Sequence, residues 1–352
     1  MAVAAGAALV FTLTSCSGSS EVGGPFVYNV GAALPTVVMS PYSVVPEVNG
    51  YWKDAGVDVQ VEHADGSTAA LQLLLSGRAD IVQSGVDAAY STAARNPSLR
   101  VVSLTPKNIW RLAVPESTAI DSIDDLRGQK IGVVSLTSGS YTYGRSIVRA
   151  AGLDPDSDVE WLPIGTGTQA AEALDSGRVS AYSSYDGPLD IVGTLTQDAL
   201  RPLPSELDEV PGSLAYVTTD DVLEKRRDEV VAFLKGTYEG MVFSLANPEA
   251  SIQIYWNRFN DQKPTDTERA AVLAQSKQIV ANGWANRFAV GDSGMRGFLT
   301  PDRVQAAADY FQQYQITEGS VDVDKIVDLE INTEANDFDT AAIEREAANW
   351  TP

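Results

Sequence analysis

From residue 26 onward, short runs rich in β-branched and aromatic residues alternate with stretches whose apolar positions recur at helical spacing. The runs at 26–30, 57–62, 80–83, 100–104, 130–134, 159–163 and 180–183 read as strands, with helices fitting between them. Alternation of this kind predicts parallel sheets with crossover helices, an α/β fold. After residue 213 the character changes, and 219–245, 248–259, 265–281 and 301–313 all read as helices. The second begins at Asn247-Pro248 and the last at Thr300-Pro301, each a capping residue followed by proline at the first helical position.

The chain echoes itself at an offset of 100 residues: Thr68, Ala70, Leu74, Ser76, Gly77 and Arg78 recur as Thr168, Ala170, Leu174, Ser176, Gly177 and Arg178. Each set runs into a short strand, and Gly56-Val57-Asp58 upstream of one matches Gly152-Leu153-Asp154 upstream of the other. Two similar βαβ units suggest two lobes of related topology. Two amphipathic helices ending in a glycine cap would share some of these positions by chance.

Residues 3–13 form an apolar run of eleven, the length of a signal-peptide core and too short to span a bilayer as a helix. Leu13-Thr14-Ser15-Cys16 follows and resembles the bacterial lipoprotein signal, in which the cysteine is lipidated. No Lys or Arg precedes the run, although such signals normally begin with positive residues. A Gly/Ser-rich tether comes next. The expected location is extracytoplasmic, tethered to the cell membrane by lipidated Cys16 alone; an ordinary cysteine beside a secretory cleavage site is the alternative.

Charge narrows the partners. The 352 residues carry 25 Lys plus Arg against 47 Asp plus Glu, a formal charge of -22, and contain no basic block. Phosphate-backbone binding therefore lacks its charges, and no nucleic-acid partner is expected. A single Cys cannot form an internal disulfide, and with a single His it cannot build the usual zinc site, so no metal and no cofactor is expected.

Five phrases, NGYWKDAGVDVQV (49–61), LLLSGRADIVQSG (73–85), SIDDLRGQKIGV (122–133), AGLDPDSDVEWLPI (151–164) and AEALDSGRVSAY (171–182), occur in an order that resembles extracytoplasmic solute-binding proteins of ABC importers. The similar group binds alkanesulfonates, taurine, nitrate and thiamine or flavin precursors, and the resemblance covers about residues 26–315. It implies a two-lobed α/β clamp of the type II periplasmic-binding-protein class, with two hinge crossings and a helical C-terminal third. The expected organisation is a signal peptide at 1–16, a tether at 17–25, lobe 1 from 26–115, lobe 2 from 116–211, and a return to lobe 1 with the C-terminal helices at 212–352.

In open α/β sheets ligands sit at the carboxyl ends of the strands. That rule selects Ser40 and Tyr42, His63 and Ser67, and Ser84 and Asp87 from the first lobe. From the second it selects Thr137, Ser138, Ser140, Tyr141, Tyr143, Thr166, Tyr185 and Asp186, with Trp110 on the crossing. The Thr/Ser/Gly loop at 137–140 suits an anionic group or serves as a helix cap. The aromatic residues suggest a flat or apolar solute, against the alternative of hinge or core packing. Asp87 and Asp186 either accept from ligand amines or cap the helices that follow, and His63 is either a ligand contact or a lone surface imidazole. No Arg falls in a predicted cleft loop, which weakens recognition of a simple anion.

The expected function is therefore a monomeric, lipid-anchored solute-binding component that hands a small molecule to an ABC permease. An aromatic or heterocyclic, pyrimidine-like solute is favoured, with alkanesulfonate, taurine or nitrate as the alternative. Relatives of this fold include a desulfinase and a pyrimidine synthase that depend on cysteine; here Cys16 precedes the fold, there is no GxSxG elbow and no Walker A loop, and the protein is read as a binder rather than an enzyme. A transcription-regulator effector domain would need an N-terminal helix-turn-helix, where this chain carries its signal segment.

Overall fold

The computed structural model describes residues 24–352 apart from Glu318. Cys16, with the signal and most of the tether expected before the first strand, lies outside the described residues. The strands are β1 (Phe26–Val30), β2 (Val59–His63), β3 (Ile81–Gly85), β4 (Leu99–Leu104), β5 (Trp110–Pro115), β6 (Lys130–Val133), β7 (Glu160–Pro163), β8 (Ala181–Tyr185), β9 (Leu200–Pro202) and β10 (Leu214–Thr219). They form two five-stranded sheets in the orders β2-β1-β3-β10-β4 and β7-β6-β8-β5-β9.

The two sheets repeat one plan. In each, a central strand pairs in parallel with the next two strands of the chain, and an antiparallel strand follows on the inner side. The echoed segments are the helices Ser67–Leu75 and Thr168–Asp175, which lead into β3 and β8. Each ends at a glycine of positive φ, 69° at Gly77 and 67° at Gly177, whose N–H donates to the carbonyl of Leu74 or Leu174. Only a residue without Cβ takes that turn cheaply, so the repeated glycine has a backbone cause.

Alternation within the strands fixes which face each helix covers. Phe26, Tyr28 and Val30 of β1 point to the long helix Asp220–Ala246 and pack with Val230 and Phe233. Val82, Ala215 and Val217 point the other way, onto the helices Ser67–Leu75 and Val86–Ala93. In the second sheet Tyr182 packs with Ala170, Leu174 and Val192, while Leu112 and Ile131 meet Tyr143 and Ile147 of the helix Gly139–Ala150. Arg226, at a non-helical kink in the long helix, is paired with Asp80 at 3.0 Å, and both side chains are almost fully buried.

Three strands were not anticipated. The segment read as the outgoing crossing contains β5, the return contains β10, and β9 carried no signal. These strands lack the crossover helix that marks a parallel unit, and their extended form comes from antiparallel pairing: β5 with β8 and β9, and β10 with β3 and β4. The crossings themselves are residues 105–109 and 203–213. They are tied together by Thr105, whose hydroxyl accepts from the N–H groups of Ser213 and Leu214, and by Gly212 donating to the Thr105 carbonyl.

The helices Pro248–Arg258 and Pro301–Gln313 stand where the periodicity placed them; Arg269–Arg287 starts later than the expected 265–281 and runs past its end to take in Trp284, Asn286 and Arg287, and a further helix, Thr340–Ala348, follows. No helix among the described residues is long and apolar enough to cross a membrane.

Candidate functional site

The two sheets meet at a joint to which the segment after β3 contributes Asp87 and the end of β8 contributes Tyr185. Trp110 opens β5 and Tyr185 closes β8, and the two are paired across the antiparallel ladder. Their rings meet edge to face at 5.3 Å, and Tyr143 stacks on Trp110 at 4.7 Å with 8° between planes. Gly139, at the start of the Tyr143 helix, makes this possible: a Cβ there would lie 2.6 Å from the Trp110 indole.

The first lobe meets this cluster at Asp87, in the first turn of the helix after β3. Its carboxyl group lies against the Tyr143 phenol, and burial holds it above the usual carboxylate range against the opposing pull of the Ala88 amide, its own amide and Tyr143. Burial and the Asp87 charge push the Tyr143 phenol up in turn. Phe311, from the helix Pro301–Gln313, packs between Tyr90 at 6.2 Å and Tyr143 at 6.1 Å, so one apolar cluster runs through both lobes. Tyr143 is thus the side chain through which the aromatic cluster of the second sheet meets Asp87 and Phe311.

A third contributor comes from outside both sheets. The helix Arg269–Arg287 reaches across the joint: Trp284 Nε1 donates to the Val38 carbonyl at 3.1 Å on one side, and Asn286 Nδ2 donates to Asp186 Oδ2 at 3.1 Å on the other. Its last residue, Arg287, is 7% exposed and sits with its guanidinium carbon 5.4 Å from the Tyr185 ring centroid. Phe288 packs edge to face on Tyr42 at 5.9 Å. Burial raises the Tyr42 phenol above its ordinary value, opposed by the Arg287 charge and the Gln83 amide.

Tyr42, Asp87, Trp110, Tyr143, Tyr185 and Asp186 are thus brought to the joint. The hydroxyls expected beside them are occupied by the chain itself. Ser67 Oγ accepts from the Gly85 N–H at 2.9 Å and Ser84 Oγ donates to the Gly85 carbonyl. Ser140 Oγ accepts from the Val134 N–H and lies 2.6 Å from Ser138 Oγ, while Thr137 is exposed and turned to Ser135. The loop at 137–140 therefore closes on itself. His63 Nδ1 is 3.1 Å from the Ala32 carbonyl, which fixes the proton on Nδ1. Thr166 is exposed after the edge strand β7.

Two residues lie elsewhere than expected. Ser40 is fully buried and donates to the Ser251 carbonyl in the packing of the helix Pro248–Arg258, because residues 40–44 form a turn of π-helix instead of an open loop. Tyr141 points to the other side of its helix from Tyr143's partners, against Trp161 at 5.5 Å and Arg145. Arg287 corrects the expectation that no arginine stands at the joint; it lies on a helix distant in sequence, with no motif around it. Among the described residues no group of three or more His, Cys, Asp or Glu side chains is placed to hold a metal ion.

A family model described as NMT1/THI5 like matches residues 42–251, more than half of the chain. YtlA of Bacillus subtilis (strain 168), which carries the name of a candidate binding protein, is 22% identical over 242 residues, covering 66% of this chain and 69% of that one. Among solved structures, a ligand-binding component of an ABC-type import system from Staphylococcus aureus superposes with a TM-score of 0.60 at 14% identity, covering 88% of this chain and 99% of that one. The alkanesulfonate-binding protein SsuA from Xanthomonas axonopodis pv. citri, bound to MOPS, gives 0.58 at 15% identity, covering 87% and 99%. The desulfurization enzyme DSZB gives 0.54 at 17% identity, covering 88% and 98%. At these identities the likeness establishes the two-lobed periplasmic-binding-protein fold, which carries binders and an enzyme alike.

Proposed function

We propose that this chain, which belongs to the NMT1/THI5-like family, is the solute-binding component of an ABC importer and closes its two lobes around a small aromatic or heterocyclic molecule. The observation that carries the reading is the joint itself: Trp110, Tyr143 and Tyr185 from one lobe and Tyr42 and Asp87 from the other converge where two tied crossings form a hinge. Hinge opening about 105–109 and 203–213 would part Tyr143 from Asp87 and Phe311 while leaving Trp110, Tyr143 and Tyr185 together on one lobe, and a flat solute would enter between that aromatic cluster and the other lobe. Closure is then a population shift, favoured by whatever the solute touches in both lobes at once. Lipidation at Cys16 would keep the protein at the membrane beside its permease.

Binding without turnover is the consistent chemistry. Covalent catalysis by a thiolate is ruled out within residues 24–352, because the chain's single cysteine is Cys16. The names of YtlA, the Staphylococcus aureus component and SsuA agree with a binder. The likeness to SsuA keeps alkanesulfonate as the second reading for the solute.

Native mass spectrometry of the purified protein, followed by a thermal-shift panel, tests both. The expected result is an aromatic or heterocyclic compound released chemically unchanged and stabilising the protein when added back. Stabilisation by alkanesulfonates or nitrate alone would replace the aromatic reading, and a solute returned as a reaction product would replace the binder.

A further inference from the structure

The helix Arg269–Arg287 touches the two lobes through faces of different chemistry. Toward the first lobe it is dry: Val280, Trp284 and, just past its end, Phe288 are at most 2% exposed and belong to the core that includes Phe26, Tyr28 and Tyr42. Trp284 Nε1 donates to the Val38 carbonyl at 3.1 Å, and Lys277 pairs with Glu249 at 3.2 Å. Toward the second lobe it is polar. Asn286 Nδ2 donates to the carboxylate of Asp186 at 3.1 Å, and the Arg287 guanidinium lies over the Tyr185 ring. Among the described residues no apolar side chain of this helix joins the cores of the second sheet.

Packing differs as the chemistry does. A groove of about 390 Å³ lies between this helix and the helix Asp186–Leu195, lined by Gln278 and Asn286 from the one and by Asp186, Leu189 and Gly193 from the other. Drawing the helix away from the first lobe would expose buried apolar surface, whereas drawing it away from the second exchanges one charge-assisted hydrogen bond and one cation–ring contact for water. The two attachments therefore differ in cost, and the second is the one that yields when the hinge opens.

We propose that the helix Arg269–Arg287 is a latch, built permanently into the first lobe, and that the hydrogen bond from Asn286 to Asp186 is its catch on the second. The pair positions the lobes without touching the solute, and adds its own free energy to whatever the solute contributes to closure. A latch presupposes the hinged clamp proposed above, whatever solute that clamp holds.

Hydrogen–deuterium exchange of the solute-free protein, followed by mass spectrometry, reads the catch directly. Asn286→Ala is expected to speed exchange about tenfold or more at 85–90 and 185–190, on the two sides of the joint, as the loss of a hydrogen bond to a charged group would. Segments 37–44 and 250–256, which hold the other face of the helix, keep the wild-type rate. A merely structural helix would loosen both faces alike, so an equal rise, or no rise, in a variant of unchanged urea midpoint overturns the latch. Where the variant is less stable overall, a cross-link decides. A Cβ at Gly283 would lie 3.9 Å from that of Asp186, a separation that a disulfide spans. Gly283→Cys with Asp186→Cys, in a chain whose single natural cysteine is removed by Cys16→Ser, is expected to slow exchange at the joint about tenfold when oxidised and to release it when reduced. Failure of the disulfide to form, or equal exchange in the two redox states, overturns the latch. Both measurements use no solute, so a latch that fails and a clamp that binds no aromatic compound are told apart.

Discussion

At the scale of single residues, the joint depends on small side chains as much as on large ones. Gly139 leaves the space into which Trp110 fits, and a methyl group there would stand 2.6 Å from the indole carbons. Gly139→Ala is expected to displace Trp110 from Tyr143, to cost about 1–3 kcal/mol of stability as overpacking does, and to weaken solute binding. Tryptophan emission and solute titration read the two effects separately; an unchanged affinity with a displaced indole would remove Trp110 from the site. Residue type and position after a strand were enough to find Tyr42, Asp87, Trp110, Tyr143 and Tyr185. They were not enough to separate Tyr143 from Tyr141, two positions apart on one helix, because that depends on which face of the helix meets β5 and β8 and which meets Trp161.

At the scale of elements, the long helix after β10 is anchored to the first sheet by an ion pair rather than by apolar contact alone. Arg226 sits where the helix departs from helical φ, and Asp80 accepts from it and from the Val27 N–H at 2.8 Å. Removing one partner strands a buried charge, so Arg226→Met is expected to lower stability by about 3–5 kcal/mol, whereas the double variant with Asp80→Leu recovers part of the loss. Urea unfolding of the three proteins checks this, and additive effects would show that the pair is not coupled. The helix Arg269–Arg287 shows the limit of local signals. Its apolar spacing announced a helix, but nothing in it announced that Trp284 and Asn286 would fasten it to different lobes and set Arg287 at their junction.

For the whole molecule, a formal charge of -22 means that some carboxylates face other carboxylates rather than cations. Glu239, on the long helix, faces Asp54 and Glu346 from two other helices and has only Lys235 in opposition; burial is the main cause lifting its pKa from 4.5 to about 7. The folded protein therefore holds this proton to higher pH than the unfolded chain does. The stability linked to Glu239 is fully present below about pH 4.5 and is lost as pH rises through about 7. Glu239→Gln is expected to flatten that slope, raising stability at pH 8 relative to pH 5 by on the order of 1 kcal/mol once solvent screening is allowed for. Urea midpoints at the two pH values measure it, and parallel slopes in both proteins would refute it. The sequence by itself determined the α/β class, the doubled βαβ plan and most of the aromatic residues of the joint, because periodicity, capping glycines and turn residues act over a few neighbours and are written locally. Only the tertiary structure decided that β5 and β10 are strands, that the hydroxyls of 137–140 are spent on their own loop, and that Arg287 stands between the lobes against Tyr185, because each of these depends on which distant surfaces meet.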